Sequence, residues 1–347
     1  MKTKEVISYK RNYLPKVASL VIIIWGLYQA QSVIALLLVA IFLAVIGSQP
    51  LLWLEKKGLP STLSALVVIL TMFLIILLFG VLVGTSIANF ASNLSVYQSQ
   101  INEKLSIVKS FLVQAGVVSE NVDLVKYIDP SAVIGTTTNL LSGLTSTLSN
   151  IFLVFLIVMF ILLEVTQLTM KIGRLLKAPN KSLLSLRDFI RSLNEYMYVK
   201  TIICIVTGIL SWLLLLVLGV DFPILWGFFA FLLNYVPSIG VIIAVIPPLI
   251  LAFVQFGFTR ALFVLLGYLV INFVIGTLIE PRIVGKRVGL STLVVFLSLI
   301  FWGSLFGLIG MVLCVPFTMA LKYALETSDE TRWLALLLES SDSSRKP

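Results

Sequence analysis

Apolar residues run along this chain in long unbroken blocks. Seven stretches hold no Asp, Glu, Lys or Arg: 17–54, 58–102, 130–163, 201–220, 222–259, 261–279 and 288–321. About 20 consecutive apolar residues carry a helix across the ~30 Å hydrocarbon core of a bilayer, so the blocks predict an all-α polytopic membrane protein with about eight membrane helices. Polar residues from Tyr28 to Ser32 divide the first block, which predicts two helices, 14–29 and 32–50, joined by a tight turn. A third helix is expected from Thr62 to Phe90, where Gly80, Gly84 and Ala88 recur every four residues and let another helix approach. Two more spans are expected, one ending near Leu163 and one over 201–219.

The C-terminal blocks require interruptions. Lys and Arg gather in cytosolic loops, yet a single crossing by 222–256 would make the next span, 261–279, deliver Arg282, Lys286 and Arg287 to the outside. The segment 222–256 must therefore enter and return. Its midpoint, Asn234-Tyr235-Val236-Pro237-Ser238-Ile239-Gly240, breaks a helix, and in 288–321 Trp302-Gly303-Ser304 separates a short arm from a longer one. Two interrupted or re-entrant hairpins are expected.

The polar stretches orient the chain. Lys2, Lys4, Lys10, Arg11 and Lys16 outnumber Glu5 near the N-terminus, and the run from Lys171 to Lys200 is also strongly basic, so both read as cytosolic. Residues 91–147 balance their charges and read as external, with Ile101, Leu105, Val108 and Leu112 on one face of an amphipathic helix. In the basic run Leu183, Leu186, Ile190, Leu193 and Met197 form a stripe suited to an anionic lipid surface. The expected organisation is a hairpin over 1–61, a helix over 62–90, an extracytoplasmic amphipathic segment over 91–147, and two membrane helices flanking a cytosolic basic helix over 148–220. A region of interrupted helices over 221–326 and a cytosolic tail over 327–347 complete it, with both termini cytosolic.

Composition agrees and removes alternatives. Of 347 residues 59% are apolar and 12% charged, against about 45–50% and about 25% in soluble domains. The absence of histidine removes Ser-His-Asp triads, H-E-x-x-H zinc sites and histidine relays. No P-loop pattern occurs, and Cys204 and Cys314 are far apart inside apolar runs, so no catalytic centre, metal site or cofactor is expected. The net charge of +9 belongs to cytosolic loops and not to nucleic-acid binding. The expected partners are the lipid bilayer and a small-molecule solute.

Broken membrane helices expose backbone groups that lipid does not tolerate and that can instead hold a solute. Asn234, Tyr235, Pro237, Ser238 and Gly240 at the first break, and Trp302, Gly303 and Ser304 at the second, are the candidate path. Pro247, Pro248, Pro281 and Gly285 are candidate hinges. Asp221, Glu280 and Arg282 are candidates for coupling or gating, because a carboxylate near the bilayer is costly unless paired or used; Arg282 or Arg287 is the neighbour expected to neutralise Glu280. Three readings stand side by side: a transporter of a small polar solute, a monovalent cation (sodium)/proton antiporter working through Glu280 or Asp221, and a non-transporting membrane scaffold.

The C-terminal third also resembles a known family. Leu218-Gly219-Val220-Asp221-Phe222, Phe231 to Gly240, Ile246-Pro247-Pro248, Ile279-Glu280-Pro281-Arg282 with Gly285, and Leu290-Ser291-Thr292 leading into Trp302-Gly303, Gly307, Gly310 and Val315-Pro316 are similar in order and spacing to the autoinducer-2 exporter (AI-2E) family. Ser291-Thr292, where many members have His-Pro, resembles the quorum-signal exporter branch. The resemblance implies a polytopic transporter of the bacterial inner membrane, a homo-oligomer that is pentameric in the exporter branch, and elevator-like movement of the broken helices. Some relatives are sodium/proton antiporters.

Overall fold

The computed structural model describes residues 25–93, 96–97, 99–100, 153–164, 181–237, 239–283, 289–327 and 331–339, with single residues at Ala18, Ile22, Glu103, Ser110, Val113 and Gln114. The basic N-terminus, most of the first expected helix, nearly all of the segment expected to be extracytoplasmic, residues 165–180 and the end of the expected tail lie outside the described residues. So do the candidate residues Ser238 and Gly285.

Among the described residues, five helices are long and apolar enough to cross a membrane: Gln31–Lys56, Ser61–Phe90, Asp188–Leu218, Phe258–Ile283 and Thr292–Val312. Three shorter apolar helices accompany them, and the protein is an all-α polytopic membrane protein, as the block pattern predicts. In chain order the helices are α1 (Gln31–Lys56), α2 (Ser61–Ser92), α3 (Leu153–Glu164), α4 (Lys181–Leu218), α5 (Pro223–Leu233), α6 (Gly240–Phe256), α7 (Phe258–Asn272), α8 (Thr292–Val312), α9 (Cys314–Thr327) and α10 (Arg332–Leu338). Where a tight turn was expected around Tyr28–Ser32, Ala30 is a single turn residue. Helical hydrogen bonds cross it from Ala30 N–H to Gly26 O and from Ile34 N–H to Ala30 O, each 3.0 Å.

Small residues let α1, α2 and α3 pack closely. Ala40, Ala44 and Leu51 of α1 meet Ala65 and Val68 of α2 and Val154, Val158 and Leu162 of α3. At Gly47 a Cβ would stand 3.0 Å from Met72 Sδ and 3.4 Å from Leu162 Cδ1, so the glycine is matched to its neighbours. Gly80 and Gly84 behave otherwise: no described atom lies within 4 Å of a Cβ built on either, so the approach their spacing suggests is not made within this chain's described residues.

The basic amphipathic stripe and the span 201–219, expected as separate helices, are one helix. α4 has 38 residues, about 57 Å at 1.5 Å per residue. No proline interrupts it, and its only glycine serves packing: a Cβ on Gly208 would meet Phe231 Cβ at 2.7 Å, and one on Gly227 of α5 would meet Trp212 Cβ at 2.6 Å. The α4 and α5 backbones thus touch at a glycine pair, the small-residue contact that brings membrane helices together. Gly219, at φ 74°, ends α4, and Pro223 opens α5 at a helix start where its missing N–H costs nothing. Trp226 and Phe229 of α5 are fully buried among Leu215 of α4, Ala252 of α6 and Val264 of α7.

Candidate transport site

The first interruption is built as the sequence predicts. α5, at 11 residues, reaches about 16 Å, roughly half a bilayer core, and then the chain turns over Asn234–Ile239 into α6. Gly240 closes the turn against the end of α5. A Cβ there would fall inside the envelope of the Leu233 carbonyl oxygen and 2.7 Å from its carbon. The tip is fastened to α4 by side chains. Asn234 Nδ2 donates to Thr207 Oγ1 at 3.3 Å and to Cys204 Sγ at 3.5 Å, and the Tyr235 hydroxyl donates to Thr201 Oγ1 at 2.8 Å. Phe42 of α1 and Phe231 set their rings edge-on to Tyr235 at 5.3 and 5.7 Å. Pro247 and Pro248 are buried inside α6, which continues through both, so they remove two backbone donors without ending the helix.

The second interruption lies further along than Trp302-Gly303-Ser304. The helix persists through those residues, Ser304 bonding back to Phe301 O at 2.8 Å, and breaks at Gly307, whose φ of 62° and ψ of −140° are non-helical. Side chains are nearly excluded from that conformation, so the true break is a glycine among several and not the polar residues before it. Trp302 keeps a central place. Its Nε1 donates to Thr318 Oγ1 at 3.3 Å, and its ring packs on Phe306 and Phe317. Gly310 repeats the role of Gly240: its Cβ would fall inside the envelope of the Trp302 carbonyl oxygen and 2.6 Å from its carbon. Ser291 caps α8, its Oγ accepting Val294 N–H at 3.3 Å.

Glu280 has a partner that sequence reasoning missed. Instead of Arg282, which is exposed, Lys200 of α4 meets it, with Nζ 2.5 Å from Oε1; Arg287, the other expected neighbour, lies outside the described residues. A π-helix, Phe273–Ile279, succeeds α7, and Glu280 N–H bonds to Ile275 O, five residues back. Pro281 comes next and has no N–H to continue an α-helical ladder. A π segment rotates the residues beyond it about the helix axis and is often found at functional sites; here it precedes the carboxylate that reaches α4.

Asp221 stands at the other end of α4 and is held from three sides. Tyr97 OH donates to Oδ2 at 3.1 Å, Gln255 Nε2 donates to the same oxygen, and Trp226 Nε1 donates to the Asp221 carbonyl at 3.1 Å. Tyr97 lies beyond the α2 span. Burial first, and the adjacent carboxylate second, push its hydroxyl up to about 12, so it remains a donor at ordinary pH.

Two apolar hairpins with interrupted helices, seated on one long membrane helix, define a polytopic membrane protein of the transporter class. The chain belongs to the AI-2E transporter family, whose model matches residues 17–330. It is 40% identical to the AI-2 transport protein TqsA of Escherichia coli K12 over 321 residues, which cover 92% of this chain and 93% of that one. It is 33% identical to the putative transport protein YhhT of E. coli K12, over 94% of each chain, and 27% identical to the putative transport protein YrrI of Bacillus subtilis, over 82% of this chain and 84% of that one. The protein is a membrane transporter of the AI-2E type.

Proposed function

We propose that the protein exports a small polar metabolite of the autoinducer-2 kind across a bacterial inner membrane, by elevator-like movement of the region 221–326. The observation that carries this reading is the matched construction of the two hairpins. Each has an arm, a tip, and a glycine, Gly240 or Gly310, seated on a carbonyl in the last turn or so of the arm. Both rest on the same part of α4, through Asn234 and Tyr235 on one side and through Cys314, Val315 and Met319 on the other. A pair so arranged can shift together while the backbone at its tips holds a polar solute. The solute class is taken from the name of the relative TqsA, an AI-2 transport protein. Asn234, Tyr235, Pro237, Ser238, Gly240, Trp302, Gly303 and Ser304 form the path in this reading, both termini are cytosolic, and several copies assemble, five by family resemblance. No observation favours a cation/proton antiporter: Glu280 is engaged by Lys200, and Asp221 by Tyr97 and Gln255.

The test is efflux of labelled autoinducer-2 from proteoliposomes, with and without sodium and pH gradients. Asn234→Leu, which keeps the branched shape but loses both donations to α4, should slow efflux without preventing reconstitution. No efflux from correctly inserted parent protein would overturn the proposal. Proton movement dependent on sodium, without efflux of the signal, would replace it with the antiporter.

A further inference from the structure

Lys200 is the only charged residue among those described that is buried, at 3% exposure. It stands 18 residues before Leu218, the end of α4, about 27 Å along the axis and so within the ~30 Å of a hydrocarbon core. An ammonium there is tolerated only with a counter-charge. Glu280 supplies one from another helix, 80 residues away in sequence, at 2.5 Å.

The surroundings of Lys200 give the pair more than a neutralising role. One turn before it, Tyr196 and Met197 pack with Cys314, Val315 and Met319 of α9. Within two turns after it, Thr201, Cys204 and Thr207 receive the hydrogen bonds of Tyr235 and Asn234 at the first tip. The same stretch of α4 therefore holds the first tip, the return arm of the second hairpin and, through Lys200, the end of the π segment that follows α7. Glu280 meets Lys200 from the end of a π-helix. A return of Phe273–Ile279 to the α-helical register would carry Glu280 about 100° around the axis and off its partner.

We propose that Lys200 and Glu280 form a charge latch that seats the helix end beyond α7 and both interrupted segments on α4, with the π segment as the turn through which Glu280 leaves. Lys200 is thus a positioning residue for the movement, a role assigned by its contacts and not by touching the solute. The inference rests on the transport reading above, but its test measures conformation directly, so failure of solute efflux leaves the result standing and failure of the latch leaves the export reading standing.

The experiment is hydrogen–deuterium exchange on the full chain in lipid nanodiscs, comparing the parent with Lys200→Met, Glu280→Gln and the double variant Lys200→Met/Glu280→Met. Glu280→Gln strands the buried ammonium of Lys200, and Lys200→Met leaves the partly buried Glu280 carboxylate unpaired, so each single change should lower the unfolding midpoint, the first more than the second. The double change removes both charges and should restore that midpoint. A latch predicts that the double variant nevertheless exchanges at least about tenfold faster than the parent over residues 234–240 and 273–283, equivalent to ~1.4 kcal/mol of lost closure. Parental exchange in a folded double variant overturns the latch, since packing alone then holds the segments. Should the double variant not fold, Glu280→Asp keeps the charge and shortens its reach: faster exchange in those segments supports the latch and parental exchange overturns it.

Discussion

A single methyl group on Gly240 probes the construction of the first tip. The Cβ of Gly240→Ala would overlap the Leu233 carbonyl oxygen and lie 2.7 Å from Leu233 C and 3.2 Å from Val236 Cβ. The two nearest atoms are backbone and cannot swing aside as a side chain end would. Relief requires opening the turn, which also breaks the 2.8 Å bond from Val236 N–H to Leu233 O. Overpacking costs about 1–3 kcal/mol, and a carbonyl left unsatisfied about 1–3 kcal/mol more. The gain in helix propensity from Gly to Ala offsets at most about 1 kcal/mol. The expected net loss is about 3 kcal/mol, more than a hundredfold in the unfolding equilibrium. SDS titration in mixed micelles, followed by tryptophan fluorescence, measures it, with proteoliposome efflux in parallel. Gly80→Ala and Gly84→Ala are the controls: with open space at both positions they should be neutral or stabilising by up to about 1 kcal/mol. If Gly240→Ala unfolds within about 0.5 kcal/mol of the parent, a surface-like effect, the close approach of Leu233 to Gly240 is not a constraint and the reasoning fails.

Gly307→Ala meets no neighbour within 4 Å, so its cost is backbone strain alone, about 1–3 kcal/mol by the same titration; a neutral result would mean the α8 break is not held at φ 62°. Trp302→Phe keeps the ring against Phe306 and Phe317 but loses the donation to Thr318, and should cost about 1 kcal/mol, against about 3–5 kcal/mol for Trp302→Ala. For Tyr97, a folded value of about 12 against an ordinary 10 means that the folded state binds the proton more tightly. Its contribution to stability is complete below pH 10 and is lost as pH rises toward 12. Tyr97→Phe should remove that part of the slope in midpoint against pH, and identical slopes in both proteins would refute the assignment.

Much of the arrangement was legible because bilayers impose strict rules. The turn between α5 and α6 was expected from placing Arg282, Lys286 and Arg287 on the basic side of the membrane, and its position at Asn234–Gly240 from the concentration of Asn, Pro, Ser and Gly there. The second break was misplaced by several residues. Trp302 and Ser304 look polar in sequence, but a serine within a helix can satisfy its hydroxyl on the preceding turn, as Ser304 does on Phe301, while Gly307 is one of several glycines with nothing local to mark it. Lys200 was counted with the basic loop because charge counting sees only sign and position. A signal was present: Tyr196, Lys200, Cys204, Thr207 and Ser211 recur at steps of four and three, a polar face continuing from the basic stripe into the span with no proline between.

The sequence by itself determined the long apolar helices, the first hairpin and the glycine at its tip, because apolar length, basic excess and the lack of a side chain act locally. Only the tertiary structure decided which charges meet. The pairing of Lys200 with Glu280 depends on the angle at which α7 ends, on the π segment that sets that angle, and on α4 running unbroken past both hairpins, and those are relations between helices that no stretch of chain contains.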